Sequence, residues 1–396
     1  MKIILSSGEL RDLLQSASRL ASSNIKGNQL SASTVLLEIA GDKLSVTSTD
    51  LETRLLQEMS LVSVSEDKEV AFTVAPSQIL TPISELSDQN ITLDFDPEDY
   101  TLQVTYANGN FRIPVNRPDN FPQAVSIGDN IYTLDMKVED LFTGLNHTLY
   151  TTQSDEGSVM SGVHVDARPE FVAFVGTNGF YLGLYRNRSL SHELPAPGGE
   201  ESSLGLVEKN KDSFTIPKKS AKLLLTLLDK MENKPMLVNV SENFVSFSCD
   251  GLLLQCRILG MKYPNYESVI PQNNDKELIV DRAMFLAALK RVSIFTDSTL
   301  PMVSFDLTEK ELLLRSRLLE YSSSAEERIP VSFNSSEPVS MNFDPNLLKD
   351  VLGNFKSENV LISIGDATRA IIISPMDHAE EEEITATIMP VLYGNR

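Results

Sequence analysis

The sequence predicts an α+β fold built from three tandem units, each with two helices on antiparallel sheets. Two observations carry this. Three segments, Phe72-Thr73-Val74-Ala75-Pro76, Phe214-Thr215-Ile216-Pro217 and Phe343-Asp344-Pro345, each run a short strand into proline and then into an amphipathic stretch. Upstream of each lies another amphipathic stretch, and strand-like segments fill the space between. Two helices cannot cover both faces of so many strands. Both helices are therefore expected on one side of each unit, with sheets continuing into the next.

The helices follow from apolar spacing. The upstream helices carry Leu10, Leu13, Leu14 and Ala17, then Val138, Leu141, Phe142 and Leu145, then Phe285, Ala288, Leu289 and Val292. The first opens with a Ser6-x-x-Glu9 capping box. The helices after proline carry Ile79, Ile83 and Leu86, then Ala221, Leu224, Leu225 and Leu228, then Leu348, Val351, Leu352 and Phe355. Proline in a first helical turn forfeits no hydrogen bond and presets φ. Strands are expected at 35–39, 44–47 and 53–59, with counterparts at 163–165, 171–175 and 181–185, and at 303–307, 312–315 and 325–329. After the second helices come 91–95 with 102–106, 236–240 with 244–248, and 360–364 with 370–373. Loops near Asn116–Asp129 and Gly260–Asp275 divide the chain into 1–125, 126–272 and 273–396, with a Pro/Gly/Glu-rich loop, Pro195 to Gly205, inside the middle unit.

Composition narrows the function. The chain has 396 residues, 34 Lys plus Arg against 55 Asp plus Glu, and a net charge of −21. Such a balance argues against a protein that grips nucleic acid with its whole surface. Cys249 and Cys256 are too few for a disulfide framework or a four-ligand zinc site and are expected as buried thiols. The apolar run Ile3–Leu5 is too short for a signal peptide, and nothing approaches a membrane span. A soluble cytoplasmic protein is the expectation. His147, His164, His192 and His378 form no metal-ligand spacing, and P-loop, G-x-S-x-G and G-x-G-x-x-G motifs are missing. Asp94, Asp96 and Glu98 start like a calcium loop, but Asp99 and Thr105 stand where it needs Gly and Glu. The run Glu380–Glu383 reads as a solvated acidic loop. No catalytic residue, metal or cofactor is expected.

Five local strings, in order and well spaced, resemble the bacterial DNA polymerase III beta subunit family, the beta sliding clamps. They are Met1-Lys2-Ile3; Leu44 to Glu52 with its Thr49-Asp50-Leu51-Glu52; Phe121-Pro122; Tyr263-Pro264-Asn265-Tyr266 with Val269-Ile270-Pro271; and Ile388-Met389-Pro390-Val391. The resemblance implies a head-to-tail dimeric ring of clamp domains that encircles duplex DNA without sequence preference, opened by a clamp loader and tethering a replicative polymerase and other clamp-binding proteins. It implies no chemistry. A scaffold of the same fold that never encircles DNA is the alternative, and an enzyme with unrecognised paired carboxylates a third reading.

The ring reading answers the charge objection. Six helix windows (7–26, 76–86, 138–149, 217–230, 282–291 and 345–356) hold 12 basic and 7 acidic residues, a net +5, leaving −26 elsewhere. A modestly positive lining inside a negative body suits a sleeve that slides. Lys218 and Lys222 share a face with Thr226, away from the leucine stripe. Arg19, Lys26, Lys219, Arg282, Lys290, Arg291, Lys349 and Lys356 complete the expected lining, while the helices at Pro76 and Val138 bring no Lys or Arg.

By the resemblance, a partner-peptide pocket would use Met160, Thr177, Gly179, Leu182, Pro264, Val269, Leu300, Leu347, Thr368, Met389, Pro390 and Val391. The family often reads T-D-G-H-R-L where this chain has Thr177-Asn178-Gly179-Phe180-Tyr181-Leu182, so Phe180 and Tyr181 replace a histidine and an arginine. The tail also continues past Val391 to Arg396. The dimer interface would set Phe111 and Ile113 against Ile294 and Phe295.

Overall fold

The computed structural model describes residues 1–21, 33–65, 68–125, 128, 132–155, 157–190, 213–318 and 322–392. Lys26, His192 and the loop from Pro195 to Gly205 lie outside them. The described helices are α1 (Ser7–Ala21), α2 (Pro76–Ser84), α3 (Val138–Thr148), α4 (Lys218–Leu228), α5 (Arg282–Val292) and α6 (Pro345–Asn354).

Four helices start for a local reason, whereas the expected proline start of α4 is not seen, because Pro217 ends the preceding strand and the helix begins at Lys218. Ser6 Oγ accepts from the Glu9 amide at 3.4 Å, which is half of the capping box. Asp281 caps α5 by accepting from Met284 N at 2.6 Å, and Asp344 caps α6 by accepting from Asn346 N at 2.8 Å. Pro76 and Pro345 sit in first turns. The predicted stripes are the buried faces: Leu10, Leu14 and Ala17; Phe285, Ala288, Leu289 and Val292; Leu348, Val351 and Leu352. Leu86 and Phe355 lie just beyond their helices. Pro82 lies within α2, where it withholds an amide from the ladder, and the helix ends at Ser84.

The chain gathers into two compact units, Met1–Glu139 with Lys222–Ile258, and Asp140–Ala221 with Leu259–Arg396. All strand pairing among the described residues is antiparallel. The first unit has a five-stranded sheet in the order Ser63–Val64, Lys2–Ser6, Asn90–Asp96, Thr101–Tyr106 and Gly109–Pro114. Its eight-stranded sheet runs Tyr132–Lys137, Pro235–Val240, Phe244–Cys249, Leu252–Arg257, Thr53–Ser60, Lys43–Thr49, Val35–Ala40 and Val70–Val74. Between them lies a core that includes Leu5, Leu10, Leu14, Leu37, Leu44 and Phe72, with Phe72 stacked on Phe95 at 5.0 Å.

The second unit repeats the plan. Its nine-stranded sheet runs Ser213–Pro217, Gly162–Arg168, Phe171–Thr177, Tyr181–Asn187, Glu382–Ile388, Ile371–Pro375, Asn359–Ile364, Lys276–Asp281 and Ser332–Phe333. The four-stranded sheet runs Ser323–Pro330, Glu311–Leu318, Val303–Leu307 and Val339–Phe343. Phe305 joins Phe285 at 5.7 Å and Phe343 at 4.9 Å in its core.

One further expectation changes. The acidic run is not all loop: Glu382 and Glu383 open a strand, Glu382 accepts from the Tyr185 hydroxyl at 2.7 Å, and Glu383 pairs with Arg186 at 2.8 Å. Strand pairing across Tyr181–Asn187 supplies partners that the local sequence does not display. The calcium-like string is also spent on pairs: Asp94 faces Lys2 at 3.5 Å and Asp96 faces Arg112 at 3.8 Å. Cys249 and Cys256 are buried and unbridged. No described helix is long and apolar enough to cross a membrane.

Candidate functional site

A turn between two strands of the second unit forms the heart of the site. Asn178 Oδ1 accepts from the amides of Phe180 at 2.9 Å and Tyr181 at 3.2 Å. Thr177 Oγ1 donates to the Tyr181 carbonyl at 2.7 Å and accepts from the Gly179 amide at 3.1 Å. Gly179 sits at φ +91°, a left-handed value that glycine adopts without steric cost. The turn thrusts Phe180 into solvent, 68% exposed.

The two aromatics have opposite roles. Tyr181 folds inward, and its hydroxyl donates to the Tyr150 carbonyl at 2.6 Å. Burial pushes its pKa up to about 12, helped by the charges of Asp350 and Asp344. Of the two, Phe180 alone is exposed.

The next strand builds the floor. Leu182 is buried in a cluster with Val159, Ala173, Val175, Leu184, Tyr263 and Tyr266, and Met160 packs against it. Gly176 lets the last residue of α3 lie directly on this sheet, since a Cβ there would meet the Thr148 carbonyl at 2.0 Å. Tyr181 and Leu182 pair with Ile388 and Thr387. The Met389 amide then donates to Phe180 O at 2.9 Å and the Val391 amide to Asn342 O at 2.8 Å. Met389 is 44% and Val391 39% exposed, with Pro390 buried between them. Ile371 also pairs with Ile388, so the turn bearing Thr368 lies at the same end of the sheet.

The remaining wall is a short 3-10 turn, Tyr266–Val269. It holds Val269 58% exposed, with exposed Pro264 just before it. Its anchors are polar. Tyr266 donates to Asp166 Oδ2 at 2.8 Å, Arg168 pairs with Asp166 at 2.8 Å, and Glu267 receives Arg168 and Arg186 at 3.4 Å each. Tyr263 stacks on His164 at 4.3 Å with the rings 5° apart. Burial lowers the His164 pKa to about 4, against the pull of Asp166. Sequence reading missed this network because Arg186 and Glu383 become neighbours only through strand register. Leu347 is half-buried in the first turn of α6, and Leu300 stands 80% exposed on a loop held by Asp297.

The cationic side chains divide. Arg19, Lys219, Lys222, Lys290 and Lys356 are solvent-exposed. Others are committed elsewhere. Lys218 Nζ donates to the carbonyls of Thr152 at 3.0 Å and Gln153 at 3.3 Å. Arg282 donates to the carbonyls of Ser357 at 2.7 Å and Leu352 at 3.1 Å, closing the end of α6. Lys349 reaches Ser293 Oγ at 3.2 Å, and Arg291 is paired with Glu327. Carbonyls hold Lys218 and Arg282, a hydroxyl holds Lys349 and a carboxylate holds Arg291, so four of the expected cations have partners on other elements.

Two sheet edges stand out among the described residues. Gly109–Pro114 ends the five-stranded sheet, with Phe111 and Ile113 half-buried against the core. Ser323–Pro330 ends the four-stranded sheet. In the same unit as the latter, Ile294 is 71% exposed and Phe295 half-buried.

Helices packed on antiparallel sheets, with exposed cations on them and with exposed Phe180, Val269 and Met389 around the Leu182 cluster, define a binding scaffold of the DNA-clamp class. The comparisons agree along the chain. The family model for the DNA polymerase III beta subunit, N-terminal domain, matches residues 1–125, and that for the C-terminal domain matches 267–392. The chain is 24% identical to the beta sliding clamp of Synechococcus elongatus over 397 residues, covering 99% of both. It is 22% identical to that of Pseudomonas putida over 360 residues, covering 91% of both. In fold it is similar to the sliding clamp of Pseudomonas aeruginosa bound to griselimycin, with a TM-score of 0.85 at 20% identity, covering 99% of this chain and 100% of that one. The beta subunit of Thermotoga maritima gives a TM-score of 0.84 at 22% identity with the same coverage. This chain belongs to the bacterial DNA polymerase III beta subunit family.

Proposed function

We propose that the chain is a DNA sliding clamp: a non-enzymatic processivity factor that encircles duplex DNA in the cytoplasm and tethers the replicative polymerase and other partners. The family match at both ends of the chain carries this reading. In this reading residues 1–125, 126–272 and 273–396 are three clamp domains, and two chains close head to tail. Tethering replaces rebinding from solution by a local event at high effective concentration. No tight grip on DNA is required, so a net charge of −21 is compatible with the task.

The exposed cations Arg19, Lys219, Lys222, Lys290 and Lys356 support a weakly positive DNA-facing surface. Lys218, Arg282, Arg291 and Lys349 contribute to the field while holding structural partners. Retention after loading tests the topology: the protein stays on nicked circular DNA and leaves linear DNA through its free ends. Equal loss from both would sink the clamp reading. With Lys219 and Lys222 both changed to Glu, the half-life on the circle falls several-fold, more steeply at low salt, because screening weakens exposed charges. An unchanged half-life counts against these two lysines.

The cleft around Leu182 is the proposed peptide pocket, of the apolar-slot-with-polar-anchors type. Griselimycin, bound in the Pseudomonas aeruginosa structure, is the natural probe. For the dimer, Phe111 and Ile113 are proposed to meet Ile294 and Phe295 of a second copy. Ile294 is already 71% exposed, so Ile294→Glu leaves the fold intact and gives monomers in sedimentation. A dimer of undiminished affinity removes this surface from the interface.

A further inference from the structure

The turn that presents Phe180 has a twin in the first unit. Asp50 Oδ1 accepts from the amides of Glu52 at 3.1 Å and Thr53 at 2.7 Å. Thr49 Oγ1 donates to the Thr53 carbonyl at 2.8 Å and accepts from the Leu51 amide at 3.0 Å. Each bond has its counterpart at Thr177–Tyr181. The likeness continues across the sheet. Arg54 pairs with Gln255 as Leu182 pairs with Thr387, and the Arg257 amide donates to Glu52 O at 2.9 Å as the Met389 amide donates to Phe180 O.

A cleft with about 40 Å³ of internal room opens beside this turn, lined by Leu51, Glu52, Arg54, Val125, Phe244 and Gln255. Two replacements set its chemistry. Leu51 takes φ +78° where the twin has glycine. A left-handed leucine is strained, yet its side chain is 41% exposed, and Val125, on the same cleft, is 52% exposed. Strain spent on showing an aliphatic group to solvent marks a contact surface. Second, Arg54 replaces Leu182. Its guanidinium donates to the Pro122 carbonyl at 2.9 Å and lies 5.6 Å over Phe121, half-buried, with no ion pair among the described residues. At the rim Arg257 meets Glu52 at 3.3 Å. The inner cation donates to a neutral carbonyl and feels the charge of Glu38 without pairing with it, which leaves room for a second carboxylate.

We propose that this cleft is a second docking site for linear peptides, selective for an aliphatic side chain next to a carboxylate. The aliphatic group packs on Leu51, Val125 and Phe244, and the carboxylate meets Arg54. A charge-assisted guanidinium–carboxylate contact is the stronger kind of hydrogen bond. The proposal rests on the peptide reading of the Leu182 cleft for its comparison, and on none of its residues.

The test uses the full chain with labelled leucine and valine methyls, titrated with acetyl-Ala-Val-Glu-Ala amide and its Gln analogue. Val125 and Leu51 methyls are expected to shift saturably with the Glu peptide and at least threefold more weakly with the Gln peptide. Arg54→Leu removes that difference. Leu51→Gly, which suits φ +78° and keeps the turn, weakens the Val125 response and covers the case that the arginine variant fails to fold. Shifts confined to Leu182 and Val269 methyls overturn the proposal and leave the other pocket standing. Equal responses to the two peptides, or none at Val125, also overturn it, whereas the Leu182 pocket is judged by its own truncation.

Discussion

Removal of Met389 and Pro390 is expected to weaken capture of a clamp-binding peptide by about a hundredfold, or roughly 3 kcal/mol. Losses of that size come from a few central, well-packed contacts. Met389 offers an exposed thioether beside the Phe180 turn, and its amide ties the tail to Phe180 O. Val269→Glu separates lost contacts from a lost fold. Val269 is 58% exposed on its 3-10 turn, so a carboxylate there leaves the core intact and still spoils an apolar slot. Calorimetry with the peptide reads both variants. Undiminished affinity in both removes this cleft from partner binding.

Stability is expected to fall by a few kcal/mol between pH 6.5 and pH 4, in advance of general carboxylate protonation. Burial holds His164 and His147 at about 4 in the folded chain. His147 lies against Phe355 at 5.7 Å and Tyr185 at 6.5 Å. Unfolded histidine titrates near 6.5. Below 6.5 the unfolded chain therefore binds protons that the folded chain refuses, and each pH unit costs about 1.4 kcal/mol per ring. The stabilisation is complete above 6.5 and lost as pH falls through 4. Circular dichroism follows the transition, since the chain has no tryptophan. His164→Gln should move the acid midpoint to lower pH. An unmoved midpoint, or an imidazole that titrates near 6.5 in the folded protein, contradicts the assignment.

Much of this architecture was legible before any coordinates. Leu10, Leu14 and Ala17, or Phe285, Ala288 and Leu289, sit at helical spacing because one face of each helix must be buried. The proline starts at Pro76 and Pro345 are equally local facts. Less legible were strands whose identity depends on their neighbours. Glu382 and Glu383 look like solvent-facing acid until Tyr185 and Arg186 arrive across the sheet. The same limit applied to the site. Thr177, Gly179 and Leu182 could be matched to a family string. That Tyr181 turns inward while Phe180 turns outward follows from the Tyr150 carbonyl, which no spacing reveals. Lysines were the extreme case. Lys218 and Lys222 share a predicted face, yet Lys218 is drawn onto the Thr152 and Gln153 carbonyls while Lys222 is exposed.

The edge strands Gly109–Pro114 and Ser323–Pro330 differ in sequence and in ownership. Gly109–Pro114 belongs to one unit and Ser323–Pro330 to the other. If the proposed head-to-tail contact joins unlike edges, it has direction, and each added copy leaves one edge of each kind until the series closes on itself. Such a chain is a potential monomer for a filament as much as for a ring. Proline at the end of each edge, Pro114 and Pro330, removes an amide from further pairing. Curvature then governs copy number, and a substitution that alters the bend within a unit could change how many subunits close, even with both contact surfaces untouched.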